Sequence, residues 1–200
     1  MLHARLATAA VAIPLLLLII LYPAHWPLAP WPLAVFVVAV GIVGMGEYAT
    51  MAFPTRRAER ALTIVLGTAL VVGSAVRIDH VMGATLAGTI VVGLVWTLFG
   101  RPDFEDGFRD LGITLVVILY VGFLLPHFIW LHQVPDMGPR WIIFVLVIGM
   151  AGDTGGYFVG HAIGRHKLMP RVSPGKTVEG SLGIVAASLL GGSIAKLVCL

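Results

Sequence analysis

Between positions 153 and 179 the chain collects the residue types that handle phosphate. Asp153 sits inside an apolar run, and the loop after it carries Arg165, His166, Lys167, Arg171 and Lys176. Ser173-Pro174-Gly175-Lys176-Thr177 then leads into a new apolar run that opens with Val178-Glu179-Gly180. Lysine and arginine offset anionic charge, serine and threonine donate hydrogen bonds, and glycine leaves the backbone open to approach. A helix beginning at this point would add free N–H groups and the positive end of its dipole. The chemistry this pattern suits is anion recognition at a membrane surface, although a juxtamembrane basic cluster also serves to attract anionic headgroups and set topology.

Gly175-Lys176-Thr177 resembles the end of a nucleotide-binding P-loop, but that motif needs a second glycine five positions before Gly175. Position 170 is proline. The upstream element is an apolar helix instead of a buried strand, so the P-loop reading fails on both counts.

Charge at membrane depth is costly, so Glu47 and Asp153 are functional candidates by default. Glu47 falls near a helix end and reads equally well as an interfacial residue. Asp153 falls deeper, which favours a polar site or an intramembrane partner. Asp153, Tyr157 and His161 are four apart and share one helical stripe, and Gly152, Gly156, Gly160 and Gly164 form the adjacent one. The glycine stripe reads first as a close helix–helix contact. The other stripe is a polar track if it faces inward. His161 alone reads as a hydrogen-bonded packing residue, and His127 and His132, with no third ligand nearby, read as interfacial.

The elements that must position these groups are membrane helices. Hydrophobic residues make up 58% of the 200 and charged residues 12%, and the mean hydropathy is +0.98. Soluble domains carry about 25% charged residues. A bilayer core about 30 Å thick takes about 20 apolar residues per helical crossing, and the sequence predicts about seven spans: 6–22, 32–50, 61–76, 83–99, 111–126, 141–163 and 179–199. The runs are continuous, not alternating, which favours an all-α polytopic bundle over a barrel. The first run lacks a small-residue cleavage site before Pro23-Ala24-His25-Trp26-Pro27 and reads as an uncleaved span. Cys199, the single cysteine, excludes an internal disulfide.

Basic residues in the connections set the expected orientation. One side receives ten: Arg5, Arg56, Arg57, Arg60, Arg101, Arg109, Arg165, Lys167, Arg171 and Lys176. The other receives Arg77 and Arg140, together with Trp26, Trp31, Trp130 and Trp141 near span ends. This places the N-terminus and the 164–178 loop in the cytoplasm. The net charge of +3 is thereby a topology signal and implies no nucleic-acid partner. No internal repeat or long linker divides the chain, which reads as a single integral membrane domain over 1–200, with N-terminal spans in 1–138 and the span, basic loop and span in 139–200. Turns are expected at Pro23–Pro32, at Arg101-Pro102-Asp103 and at Met137-Gly138-Pro139.

Three segments together resemble a known family. Asp153-Thr154-Gly155-Gly156-Tyr157-Phe158-Val159-Gly160, Gly164-Arg165-His166-Lys167-Leu168 and Ser173-Pro174-Gly175-Lys176-Thr177-Val178-Glu179-Gly180-Ser181-Leu182-Gly183 look like the central block of phosphatidate cytidylyltransferases, or CDP-diglyceride synthases. The resemblance is specific over about 35 residues and general elsewhere. It implies transfer of a cytidylyl group from CTP to phosphatidate, giving CDP-diacylglycerol and pyrophosphate in phospholipid biosynthesis, with a divalent cation, normally Mg2+. The expected setting is the bacterial inner membrane, with the lipid bilayer and a homodimer among the expected partners.

On this reading Lys176, Asp153 and Ser173 are catalytic, and Lys167, Arg171, Gly175, Thr177, Glu179 and Tyr157 bind substrate. Asp153 holds the metal, while Glu179 orients Lys176, assists the metal or serves as an acidic first-turn residue. Family members carry a second signature, with Lys-Asp and a later Asp-Arg-x-Asp group. It does not occur before Leu200, so the chain is expected to be the first two thirds of such an enzyme. Two other readings stand beside this one: a CTP-dependent polyprenol- or phytol-type lipid kinase, and a non-enzymatic transporter or anion-binding protein using Glu47 and Asp153.

Overall fold

A computed structural model describes residues 2–22, 31–75, 80–100 and 103–200. Trp26, Arg77, Arg101, most of the Pro23–Pro32 turn and the first two residues of the Arg101-Pro102-Asp103 turn lie outside the described residues. The helices are α1 (Leu2–Ile20), α2 (Trp31–Ala52), α3 (Arg57–Ala75), α4 (Val81–Gly100), α5 (Phe104–Val117), α6 (His127–His132), α7 (Gly138–Ile163) and α8 (Val178–Cys199). A π-helical stretch, Ile118–Phe123, continues α5. Strands β1 (Lys167–Met169) and β2 (Ser173–Thr177) lie between α7 and α8.

Six helical segments are long and apolar enough to cross a bilayer: α2, α3, α4, Glu105–His132, α7 and α8. The described apolar part of α1, Ala10–Ile20, is shorter. The chain is a polytopic helical membrane protein. The departure from the expected pattern is the 164–178 loop, which folds as a two-stranded antiparallel hairpin.

Contacts divide the chain into two compact units, Met1–Gln133 and Val134–Leu200. In the first, Leu66, Leu70 and Ile118 form a buried cluster joined by Leu62, Leu86 and Phe123. Small residues set the spacing: Gly67 faces the Met45 thioether, and a Cβ on Gly122 would lie 3.1 Å from the Gly67 carbonyl oxygen. The hydrocarbon core offers no water to hydroxyls, and several hydroxyls on these helices bond the carbonyl four residues back: Thr63 to Glu59 at 2.8 Å, Ser74 to Leu70 at 2.7 Å and Thr85 to Val81 at 2.7 Å.

Longer-range bonds tie the unit together. Arg56, in the α2–α3 turn, pairs with Asp110 of α5, and the Trp130 indole donates to the Ser74 carbonyl at 2.7 Å. His132, read from sequence as interfacial, is instead buried, with Nε2 2.9 Å from the Ile20 carbonyl at the end of α1. Glu47 is exposed on α2, away from the buried Met45 and Ala49.

The second unit is an antiparallel pair, α7 and α8, capped at one end by the hairpin. Lipid supplies no hydrophobic drive between helices, so close van der Waals contact must do so. Small residues line this seam on both helices. A Cβ on Gly183 would lie 2.6 Å from Val159 Cβ and 2.9 Å from the Gly155 carbonyl, and one on Gly191 would lie 2.6 Å from Ala151 Cβ. Gly152 faces Ser188, and Gly155 faces Ala187. Ser188 also donates across the seam to the Ile148 carbonyl at 3.3 Å, a contact worth about 0.6 kcal/mol.

Candidate functional site

The hairpin exists because the two helices hold both its ends. Gly164 N–H closes α7 on the Gly160 carbonyl at 3.1 Å, and three residues later β1 begins. Lys167 pairs with Thr177 and Met169 with Ser173, while Val178 N–H donates to the His166 carbonyl at 2.9 Å. Met169-Pro170-Arg171-Val172 makes the turn, closed by Val172 N–H to the Met169 carbonyl at 3.1 Å. Proline fixes the φ that the second position of such a turn requires.

Thr177 is the joint between hairpin and helix. It is buried, at 6% exposure, and its Oγ1 accepts from Gly180 N–H at 3.1 Å as the N-cap of α8. Its side chain fills the space that Cβ atoms on Gly160 and Gly164 would occupy, so the glycine stripe of α7 ends as a socket for this cap. Replacing Thr177 with valine keeps the shape and removes the acceptor. The expected cost is ~1 kcal/mol, visible as roughly fivefold faster hydrogen exchange at the Gly180 amide; unchanged exchange would show that the hydroxyl does not hold the helix end.

Glu179 does something the sequence left open. Its carboxylate accepts from the Arg165 and His166 N–H groups at 3.1 and 3.2 Å and lies 2.6 Å from His166 Nδ1. It thereby pins the chain where it leaves α7 to the first turn of α8, and it does not line the cavity described next. The free N–H groups expected at the start of α8 are partly engaged, Val178 by His166 and Gly180 by Thr177.

Between the facing sides of α7, α8 and the hairpin base lies a cavity of about 480 Å³. Asp153, Tyr157 and His161 line it from α7, Lys167, Gly175, Lys176 and Thr177 from the hairpin, and Ser181 and Ile184 from α8. The polar stripe of α7 therefore borders this space, with Asp153, Tyr157 and His161 all exposed on its open side. The Tyr157 and His161 rings are parallel within 5°, their centroids 6.0 Å apart. Two ammonium groups and one carboxylate face the same space, giving it a net positive lining.

Of the residues expected at a site, Asp153, Tyr157, Lys167, Gly175, Lys176 and Thr177 come together here. Ser173, Arg171 and Glu179 are not in the lining. Ser181 was missed, although it falls one helical turn after Thr177, and its Oγ donates to the Thr177 carbonyl at 3.2 Å.

The donor set also bears on a metal ion. No group of three or more His, Cys, Asp and Glu side chains suited to a metal is assembled among the described residues, and Asp153 is the carboxylate of this lining. A closed all-protein site does not fit. Magnesium does, because it takes one or two carboxylates and completes its shell with water and substrate phosphate oxygens.

The chain is similar in sequence to known proteins. The phosphatidate cytidylyltransferase of Bacillus subtilis (strain 168) is 31% identical over 109 residues, covering 54% of this chain and 40% of that protein. That of Staphylococcus epidermidis (strain ATCC 12228 / FDA PCI 1200) is 33% identical over 118 residues, covering 59% and 43%. That of Chlamydia pneumoniae is 36% identical over 111 residues, covering 50% and 35%. The matched region spans less than half the length of these relatives. The cytidylyltransferase family model matches residues 3–200, nearly the whole chain, and this membrane protein belongs to that family.

Proposed function

We propose that the cavity between α7, α8 and the hairpin binds CTP and phosphatidate and that the protein takes part in cytidylyl transfer, giving CDP-diacylglycerol and pyrophosphate. The observation that carries this is the lining itself: two lysines, a carboxylate and hydroxyls converge on one space between two apolar helices. A phosphate oxygen of the lipid forms a bond to the α-phosphorus of CTP while the bond to the bridging oxygen breaks, and pyrophosphate leaves. Such a displacement needs in-line positioning and charge stabilisation more than covalent help from the protein.

Lys167 and Lys176 offset the phosphate charge. The Thr177 hydroxyl, already accepting from Gly180 N–H, keeps its proton to donate, and Ser181 offers a second hydroxyl beside it. Tyr157 and His161 supply an aromatic wall. Asp153 would hold Mg2+, directly or through water, and the ion when bound supplies further neutralisation of phosphate charge. Arg171 lies in the hairpin turn and Ser173 beside it, outside the cavity lining, so their part is indirect.

The ten-to-two bias of basic residues supports a cytoplasmic hairpin, where CTP is available, and a bacterial inner membrane as the location. A homodimer belongs to the same proposal and would appear as doubled protein mass in detergent-corrected light scattering.

The test is product analysis with CTP labelled at the α-phosphate and membranes containing phosphatidate. The expected result is label in the lipid fraction and release of pyrophosphate. Release of CDP with γ-phosphate in the lipid would identify a kinase, and flux across sealed vesicles without CTP consumption would identify a transporter. Either result overturns the proposal.

A further inference from the structure

The hairpin has two ends with different chemistry. Its base faces the cavity through Lys167, Gly175, Lys176 and Thr177, whereas none of residues 168–174 lines it. That outer part exposes Leu168 at 43%, Met169 at 49% and Val172 at 75%, with Arg171 exposed between the last two. Apolar side chains at the first and fourth positions of a tight turn, with a cation between them, need an amphipathic environment. From Gly164 to Thr177 the chain carries four Lys and Arg residues and no Asp or Glu.

The position of the hairpin follows from its tethers. Three residues separate α7 from β1, and β2 passes into α8 with none between. Both helices are long and apolar enough to span a bilayer, so the hairpin is held at the bilayer surface with little freedom to leave it. Amphipathic segments in that zone bury their apolar residues at the headgroup–acyl boundary while their cations meet lipid phosphates. We infer that the hairpin turn is a docking element for an anionic phospholipid surface: Met169 and Val172 enter the interfacial layer and Arg171 pairs with headgroup phosphate, independently of what the cavity binds.

The experiment is site-directed spin labelling of the full chain in a Cys199→Ser background, with Val172→Cys as the labelled site. The protein is reconstituted into phosphatidylcholine vesicles with and without phosphatidylglycerol, in the absence of CTP. Power saturation with oxygen and with a water-soluble nickel chelate reads depth. With phosphatidylglycerol present, the oxygen-to-nickel accessibility ratio at position 172 is expected to exceed that of a free aqueous label several-fold. It is expected to fall when phosphatidylglycerol is omitted or when Arg171→Glu is introduced.

A ratio equal to that of the free label in both vesicles overturns the inference. So does a ratio indifferent to both phosphatidylglycerol and Arg171→Glu. Spin–spin broadening between labels overturns it in another way, by showing that a second copy covers the turn. Circular dichroism of each variant verifies that the helices are retained. Because no nucleotide is present, failure of the docking element and failure of the proposed transfer reaction are separate results.

Discussion

Lys176→Ala is expected to lower CTP-dependent labelling of lipid by about a hundredfold or more, the scale associated with removing one preorganised stabiliser of developing charge. The argument rests on placement. Lys176 is exposed on β2 and lines the cavity, so truncation removes a cation from the space without opening a packed core. Helical content and thermal stability should stay near those of the parent, which separates this effect from unfolding. Lys176→Arg retains the charge in a different donor geometry and should recover part of the activity. The rates are measured at saturating CTP and again well below saturation. A loss confined to the low-CTP arm would make Lys176 a ground-state binding residue, and full activity at both would remove it from the site.

Gly183→Leu is the second large effect, and it acts through packing. Where α8 passes Val159 Cβ and the Gly155 carbonyl, a Cβ would sit at 2.6 and 2.9 Å, and neither a Cβ nor a backbone oxygen can rotate aside. The helices must separate, and overpacking of this kind costs about 3 kcal/mol. The small-residue seam also sets the width of the cavity above it, so activity should fall together with stability. Gly149→Leu, on the partner helix α7, is the control, because a Cβ there meets nothing within 4 Å. It should leave stability unchanged or slightly raised, since leucine is the better helix former. Thermal unfolding in detergent reads both variants, and equal midpoints for the two would show that the seam tolerates a side chain at Gly183.

Much of this could be read from the residues. Continuous apolar runs predicted the long helices closely, because a span must satisfy its backbone within itself and needs a minimum length. The four-residue spacing of Gly152, Gly156 and Gly160 predicted a close helix partner, and that of Asp153, Tyr157 and His161 predicted a shared stripe, because the helical repeat is a local property. The hairpin was not legible. Lys167–Met169 and Ser173–Thr177 contain neither alternation nor β-branched runs, and the strands pair because α7 and α8 bring their ends together. Local propensity carries no record of that closure.

The sequence by itself determined the class of the protein, a polytopic helical membrane protein, and the chemical inventory of its site, because composition, helical period and residue type act over a few neighbouring positions. Tertiary structure decided which members of that inventory share a cavity. Lys167 and Lys176 lie nine positions apart in the chain and 14 and 23 positions from Asp153, yet all three line one space. Glu179, which the sequence left between orienting Lys176, assisting a metal and serving as an acidic first-turn residue, is turned to the Arg165 and His166 N–H groups. Those outcomes depend on how closely two helices approach and how the hairpin folds back between them. Both are set by long-range contacts, Gly183 against Val159 and Thr177 against Gly160 and Gly164, whose energies arise when the chain has closed.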